Sequence, residues 1–150
     1  SHQQNFMQKI SLKVVTPERI VFEDTVDSLS VMTETGELTI LPNHVPLVAL
    51  LKAGEMRFTG SENALLAVST GVLEVRSNSE VIVLADTAER SDELTLERVE
   101  GAKKLAEQRL QEAREKGDVA YADALVHLER ELARYKVAKK GKYRDVGKVR

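Results

Sequence analysis

The chain has 150 residues, of which 42% are hydrophobic and 31% charged, with a formal net charge of −2. This length fits one domain, or a small domain with an appendage, and the apolar content argues against wholesale disorder. Cysteine is absent, which excludes disulfides, thiol catalysis and thiolate metal sites, and no apolar run approaches the ~20 residues of a membrane-spanning helix.

The first part of the chain alternates in hydrophobicity as β-strands do. Residues 1–7 are interpreted as a tag or disordered N-terminus and are set aside. From Ile10, apolar residues recur at Leu12 and Val14, which is the two-residue period of a half-buried strand. Eight to ten short strands, separated by turn sequences and with no helical period between them, predict a β-sandwich or barrel. About 80 residues suffice for a small sandwich, which we expect over residues 8–88. The later runs are 20–22, 26–32, 38–41, 47–51, 56–59, 64–69, 72–76 and 81–85.

The second part has the period of amphipathic helices. After a linker at 89–94, apolar residues recur at steps of three and four. Gly117 and Asp118 end one helix and cap the next, so we predict an antiparallel hairpin over 95–140 with a thin core and a low opening free energy. A basic disordered tail is expected at 141–150. The stripes are Leu96, Val99, Ala102, Ala106, Leu110 and Ala113 in the first helix and Tyr121, Leu125, Leu128, Leu132 and Tyr135 in the second.

Charge is distributed unevenly between the two parts. Residues 1–94 hold 7 Lys/Arg and 14 Asp/Glu, a balance of −7, whereas residues 95–150 hold 15 and 10, a balance of +5. Solvated helix faces account for much of the basic half. The excess over 134–150, eight Lys/Arg against one Asp, instead indicates attraction to an acidic surface, anionic lipid or nucleic acid. Nucleic acid is disfavoured because aromatic residues are only 4% and no reader motif is present.

The sequence contains no recognised catalytic pattern. It has no glycine-rich phosphate loop and no nucleophile elbow, and its three histidines are too scattered for a zinc site. Residues 42–46 place Asn43 and His44 between two prolines, which predicts either a rigid corner or a docking knuckle. We therefore expect no metal and no catalytic residues, and an interaction module rather than an enzyme.

Several local patterns resemble the epsilon subunit of the rotary F-type ATP synthase. The first runs from Gly36-Glu37-Leu38 to the corner and Leu47, and the second joins 71–75 to 83–88, ahead of the helices. The third is 117–119 in the turn between the helices. The resemblance covers roughly residues 8–140, and it implies the same sandwich and hairpin.

The resemblance implies a role for each part. The chain would be a non-catalytic central-stalk subunit that binds the gamma subunit, rests on the c-subunit ring and couples proton translocation to ATP synthesis. Its helices would lie on the sandwich or extend towards the alpha and beta subunits, where they restrain ATP hydrolysis. It would be peripheral, without membrane insertion, on the cytoplasmic face of a bacterial plasma membrane, with a plastid thylakoid as the second choice.

The resemblance also implies two sets of contact residues. Glu37 and His44 match positions that face the ring loops and are candidate c-ring contacts. An inhibitory basic helix would meet an acidic segment of the beta subunit through Arg130, Arg134, Lys136, Lys139 and Lys140.

The alternative is a nucleotide-sensing module whose hairpin binds ATP. Family members that bind ATP carry Ile or Leu, Asp, any two residues, Arg and Ala at the start of the first helix. Here the stretch 94–99 keeps Arg98 but has Thr95 for Asp and Val99 for Ala, which removes a hydrogen-bond acceptor and crowds the pocket. Arg130 and Arg134 match further phosphate-facing arginines. We expect weak ATP binding or none, and no other cofactor.

Overall fold

Nine β-strands precede two α-helices in the part of the chain that the computed structural model describes, residues 8–60 and 64–149. Side chains are described up to Gly141, and the predicted N-terminal segment 1–7 lies outside the described residues. Two short 3-10 turns, Ser77–Ser79 and Ser91–Glu93, join neighbouring elements. The elements are β1 Ile10–Val15, β2 Ile20–Thr33, β3 Gly36–Ile40, β4 Leu47–Leu51, β5 Gly54–Gly60, β6 Ala64–Val68, β7 Gly71–Arg76, β8 Glu80–Ala85, β9 Ala88–Arg90, α1 Leu96–Ala113 and α2 Asp118–Val149.

The long strand β2 joins the two layers of the sandwich. Its first half pairs with β1, and its second half pairs with β3 and β5. The order of hydrogen-bonded strands is β1-β8-β7-β4 on one side of β2 and β5-β6-β9 on the other. Among the described strands, every pairing except β1–β8 is antiparallel. The sequence predicted two strands, 20–22 and 26–32, where the structure has one. The polar stretch between them, residues 23–25, remains a strand because it pairs with β1.

The core lies between the two layers. Ile10, Leu12 and Val14 are almost fully buried, as their alternation predicted. At the centre, the rings of Phe22 and Phe58 lie 4.3 Å apart between centroids and are tilted by 42°, a favourable aromatic contact. Inward residues from all nine described strands contribute to this core, so the sandwich has an apolar interior independent of the helices.

The hairpin packs partly on itself and partly on the sandwich. The predicted stripe of α1 is confirmed, because Val99, Ala106 and Ala113 are buried. In α2 the predicted seam is only half buried, with Leu132 exposed, because this helix packs against two surfaces. Its most buried apolar side chain is Val137, which contacts Leu65 and Ala67 on the outer face of β6, with Leu94 beside them.

Two predicted boundaries differ from the structure. The linker expected at 89–94 is ordered, because Ala88–Arg90 adds a strand to β6 and Ser91–Glu93 makes a 3-10 turn. The disordered tail expected at 141–150 is wrong up to Val149, because α2 does not stop at Lys140. Gly141 does not terminate the helix. A Cβ there would lie 2.9 Å from the Ser91 Cβ, so the glycine lets α2 pass close to the 3-10 turn.

Gly71 is a stringent test of this packing. A Cβ at this position would lie 2.1 Å from the Leu84 carbonyl oxygen and 2.8 Å from the Ala85 Cα. Because both atoms belong to the backbone, Gly71→Ala must separate β7 from β8, and we expect a loss of about 1–3 kcal/mol in unfolding free energy. The matched control is Gly101→Ala in α1, where the Cβ meets open space. This change should stabilise the chain by about 0.5–1 kcal/mol. Urea denaturation measures both, and equal midpoints would contradict the packing described.

Candidate functional site

The corner after β3 is held by side chains from other parts of the sandwich. Asn43 has a positive φ of 67°, and its backbone N–H donates to the Ser79 Oγ at 2.6 Å. Its side-chain amide donates to the Gln8 Oε1 at 2.7 Å. His44 is half-buried with Nδ1 2.8 Å from the Val45 carbonyl oxygen, and Leu41 is exposed nearby in the chain. The corner is thus a fixed surface with apolar and imidazole groups.

Of the two predicted ring contacts, Glu37 lies at the start of β3 and His44 lies past its other end. Glu37 follows the β2–β3 turn, where it pairs in register with Met32 and forms an ion pair with Arg57. His44 follows the far end of the strand, roughly 10 Å or more along the chain direction at ~3.3 Å per residue. The structure therefore places both residues on the surface but does not bring them into one cluster.

An apolar strip crosses the outer face of three neighbouring strands. Leu50 of β4 lies opposite Val72 of β7, which in turn lies opposite Leu84 of β8. Val48 lies two residues from Leu50 on the same face, and all four side chains are classed as exposed. We call Val48, Leu50, Val72 and Leu84 the outer apolar strip. Sequence reasoning did not identify these residues; the signal was the unbroken apolar run in β4, where a half-exposed strand would alternate.

The basic residues of α2 do not form a free basic face in this structure. Arg134 spans both carboxylate oxygens of Glu89, at 2.8 and 3.2 Å, and also donates to Glu131, which is buried. The Lys140 Nζ lies 2.6 Å from the Glu55 Oε2. Two of the five predicted residues thus tie α2 to the sandwich.

The other three basic residues of α2 make weaker contacts. Arg130 lies with its Nε 3.9 Å from the Glu131 Oε2. Lys139 is exposed and approaches the Tyr135 ring at 5.6 Å, and Lys136 is exposed. Of the five predicted residues, Lys136 and Lys139 are therefore exposed and take no part in the ion pairs that join α2 to the sandwich.

The ion pairs beside the hairpin fix the charge of two groups. Burial alone would lower the pKa of Arg134, but the carboxylates of Glu131 and Glu89 raise it above its ordinary value. Burial alone would raise the pKa of Glu93, but the Arg90 backbone N–H and the Arg19 guanidinium hold it below its ordinary value. Since its folded pKa is depressed, Glu93 stabilises the fold above its ordinary pKa, and this contribution is lost as the pH falls through the lowered value.

A charged cleft of about 430 Å³ lies between the β1–β2 turn, β9 and α2. Arg130 and Arg134 line it, as the nucleotide hypothesis required, together with Arg19. Arg98 does not line it and is exposed on α1, and Val99 is buried. Four acidic residues offset the three arginines, which leaves the cleft with an excess of one negative charge. These are Glu18, Asp86, Glu89 and Glu93.

Among the described residues, no three His, Asp or Glu side chains are grouped so that they could hold a metal ion. In the same part of the chain, neither helix has a stretch apolar and long enough to cross a membrane.

Two family models match consecutive parts of the chain. The first, described as ATP synthase, Delta/Epsilon chain, beta-sandwich domain, matches residues 9–91. The second, described as ATP synthase, Delta/Epsilon chain, long alpha-helix domain, matches residues 92–139. The resemblance seen in the sequence and the predicted fold class, a β-sandwich followed by a two-helix hairpin, are both confirmed.

Curated relatives carry the same description along nearly their whole length. The ATP synthase epsilon chain of Desulforamulus reducens is 45% identical over 117 residues, which is 77% of this chain and 88% of the relative. That of Dehalococcoides mccartyi strain BAV1 is 43% identical over 135 residues, 89% of this chain and 95% of the relative. That of Halalkalibacterium halodurans is 43% identical over 133 residues, which is 88% of this chain and 98% of the relative.

Two solved structures share the fold. A chain in the Euglena gracilis mitochondrial ATP synthase, a cryo-EM structure of OSCP, F1 and c-ring, superposes with a TM-score of 0.70 at 18% identity, covering 81% of this chain and 76% of that chain. A chain in the central stalk and c-ring of the Tetrahymena thermophila mitochondrial ATP synthase superposes with a TM-score of 0.51 at 13% identity, covering 57% of this chain and 69% of that chain.

Arg134 should hold the hairpin against the sandwich. Arg134→Met removes the charge that compensates the buried Glu131 and the contact with Glu89, so we expect docking of α2 to weaken by about 2 kcal/mol. Arg134→Lys should recover only part of it, because an ammonium group cannot span both oxygens of Glu89 and reach Glu131. Hydrogen exchange of the α2 amides measures the opening. Lys136→Met, at an exposed position on the same helix, is the control. Equal protection in the two Met variants would show that Arg134 does not hold the helix.

Proposed function

The chain belongs to the epsilon-chain family of the ATP synthases, and on that premise we propose that it is a non-catalytic subunit of the central stalk. In this role it couples ion translocation through the c-ring to ATP synthesis, and its hairpin restrains ATP hydrolysis. It acts peripherally at the cytoplasmic face of a bacterial membrane. The assemblies in which the two structural neighbours were solved support this proposal: one is of OSCP, F1 and c-ring, and the other is of the central stalk and c-ring.

The outer apolar strip is the observation that carries the proposal. Four large apolar side chains lie on the same outer face of the sandwich, and exposed apolar patches of this kind mark interaction sites. The strip lies on β4, β7 and β8, whereas the hairpin covers β5 and β6. Docking of the gamma subunit on the strip therefore leaves the hairpin free to move.

Leu50 lies within the strip and provides the test. Leu50→Asp places a charge at a 55% exposed position, so the fold should survive while burial against gamma becomes unfavourable. We expect the affinity for gamma to fall at least about tenfold. Co-purification and titration of the chain against immobilised gamma subunit measure this change. The matched control is Val126→Asp, which is 54% exposed and lies on α2 rather than on these strands. Undiminished binding by Leu50→Asp would remove the strip as the gamma surface.

We further propose that Glu37 and His44 each contact the ring, as separate points. Glu37 offers a half-exposed carboxylate beside the β2–β3 turn, and His44 sits on a corner that Asn43 and Ser79 fix in place. Two contacts at either end of one strand resist tilting of the sandwich on the ring better than a single cluster would.

The hairpin in this structure is the docked form, and its release is the proposed brake. While docked, Arg134 and Lys140 are occupied by Glu89 and Glu55, so the helix offers only part of its positive charge. Release frees both residues to join Lys136 and Lys139 against an acidic surface. Each exposed pair contributes only ~0.2–1 kcal/mol, so several must act together, and salt weakens them. The brake is therefore reversible.

Removal of the hairpin tests the brake. Truncation after Leu94 keeps β9 and the Arg19–Glu93 ion pair, and so leaves the sandwich and its gamma surface intact. We expect the assembled enzyme to hydrolyse ATP several-fold faster at low salt. The full-length double variant Lys136→Gln, Lys139→Gln should reproduce part of that rise without disturbing the docking contacts. Unchanged hydrolysis in the truncated enzyme at low ATP and low salt would show that the hairpin is not a brake.

A second candidate function is ATP binding in the charged cleft. Arg130 and Arg134 support it, but Glu89 already holds Arg134, and the acidic excess of the cleft repels a polyphosphate. Arg98 lies outside the cleft, and Thr95 supplies no carboxylate. We therefore propose that nucleotide binding is weak at most and is secondary to the stalk function.

A further inference from the structure

Four charged side chains form an unbroken series of ion pairs from the β2–β3 turn to α2. Glu37 pairs with Arg57, whose second terminal nitrogen lies 3.0 Å from the Glu55 Oε1. The other oxygen of Glu55 lies 2.6 Å from the Lys140 Nζ. The series crosses from β3 to β5 and then to the hairpin. It joins a proposed ring contact to a helix that must detach.

Glu55 is the pivot of this series. Its side chain is only 8% exposed, whereas those of Glu37, Arg57 and Lys140 are each 45–49% exposed. A buried carboxylate needs compensation by nearby cations, and Glu55 has one cation on each oxygen. Arg57 is shared with Glu37, so the compensation that Glu55 receives from Arg57 depends on what else Glu37 binds.

We propose that Glu55 and Arg57 couple the occupancy of Glu37 to the docking of the hairpin, an inference that rests on the proposed function. When a cationic group of the ring takes Glu37, Arg57 is released from its second carboxylate and turns fully to Glu55. Glu55 is then compensated without Lys140, and the hairpin is held less firmly. The effect is reciprocal, because any coupling between two binding equilibria acts equally in both directions. When the hairpin is docked, Lys140 compensates Glu55, and Arg57 stays paired with Glu37. Glu37 is then less available to the ring.

The expected size of the coupling is modest. The pairs at Glu37 and Lys140 are half-exposed, and such pairs each change an equilibrium by roughly two- to fivefold. That is sufficient to bias a hairpin whose apolar contact with the sandwich is small, and it vanishes at high salt.

The test measures opening of α2 by hydrogen exchange in the full chain at low salt, without any partner. Glu37→Gln stands for an occupied Glu37, and we expect it to raise the opening constant about two- to fivefold. Lys140→Met should also raise it. Because both act through one carboxylate, the double variant should open no more than Lys140→Met alone, and Glu37→Gln should have no effect once Glu55→Gln is present.

Two controls separate coupling from a general loss of charge. Glu74→Gln removes an equally exposed carboxylate that pairs with Arg76 away from the hairpin, and it should leave opening unchanged. Lys136→Met removes an exposed α2 cation outside the series and should do the same. Additive effects of Glu37→Gln and Lys140→Met, or no effect of Glu37→Gln alone, would reduce Glu55–Lys140 to a local docking pair and overturn the proposal.

Because no partner takes part, the outcome is independent of the stalk function. Coupling in the free chain without binding to gamma would overturn the proposed function and keep the ion-pair link. Binding to gamma without coupling would overturn the ion-pair link and keep the proposed function.

Discussion

Strand β6 is apolar on both of its faces, and the arrangement of the whole chain depends on how the outer face is covered. Leu66 and Val68 point into the sandwich core, while Leu65 and Ala67 point outwards. Val137 of α2, with Leu94 beside it, covers the outer pair. Burial of one such side chain is worth about 1.5–3 kcal/mol, so this contact positions the hairpin without fixing it permanently.

Charged groups complete what the small apolar contact begins. Glu89 and Glu55 receive Arg134 and Lys140 on either side of Val137, so the helix is aligned by ion pairs as well as by burial. Ion pairs of this kind are exchangeable: another charged surface can take either partner, and salt weakens all of them. Such contacts suit the proposed alternation of the hairpin between two positions better than a larger apolar interface would.

The sequence was sufficient for β1 and α1, where a local period decides the structure. The alternation at Ile10, Leu12 and Val14 and the stripe of α1 are both present as predicted. It failed where pairing with a strand elsewhere in the sequence decides the structure. The polar middle of β2 remains a strand because β1 pairs with it, and β9 forms because β6 offers an edge. Neither partner is visible in a period of two or of 3.6 residues.

The same limit applies to the candidate site. Composition showed a basic helix, but Arg134 lies 45 residues from Glu89 in sequence, and no spacing rule indicates that the two are paired. Glu37 was found through its resemblance to a family pattern, whereas Arg57 and Glu55 carry no motif and emerge only from their geometry. The outer apolar strip could have been located, because β4 lacks the alternation that a strand with one solvated face requires.

The order found in residues 88–93 determines how the hairpin can travel. β9 is paired to β6, and Glu93 is held by Arg19, so the chain stays anchored until the last residues before α1. Leu94 and Thr95 are then the pivot, and both have extended backbone angles. An 18-residue helix is about 27 Å long at 1.5 Å per residue. A rotation of about 30° at this two-residue pivot would therefore carry the far end of α1 through about 14 Å. In the proposed release, the hairpin would therefore act as a lever that turns about residues 94–95.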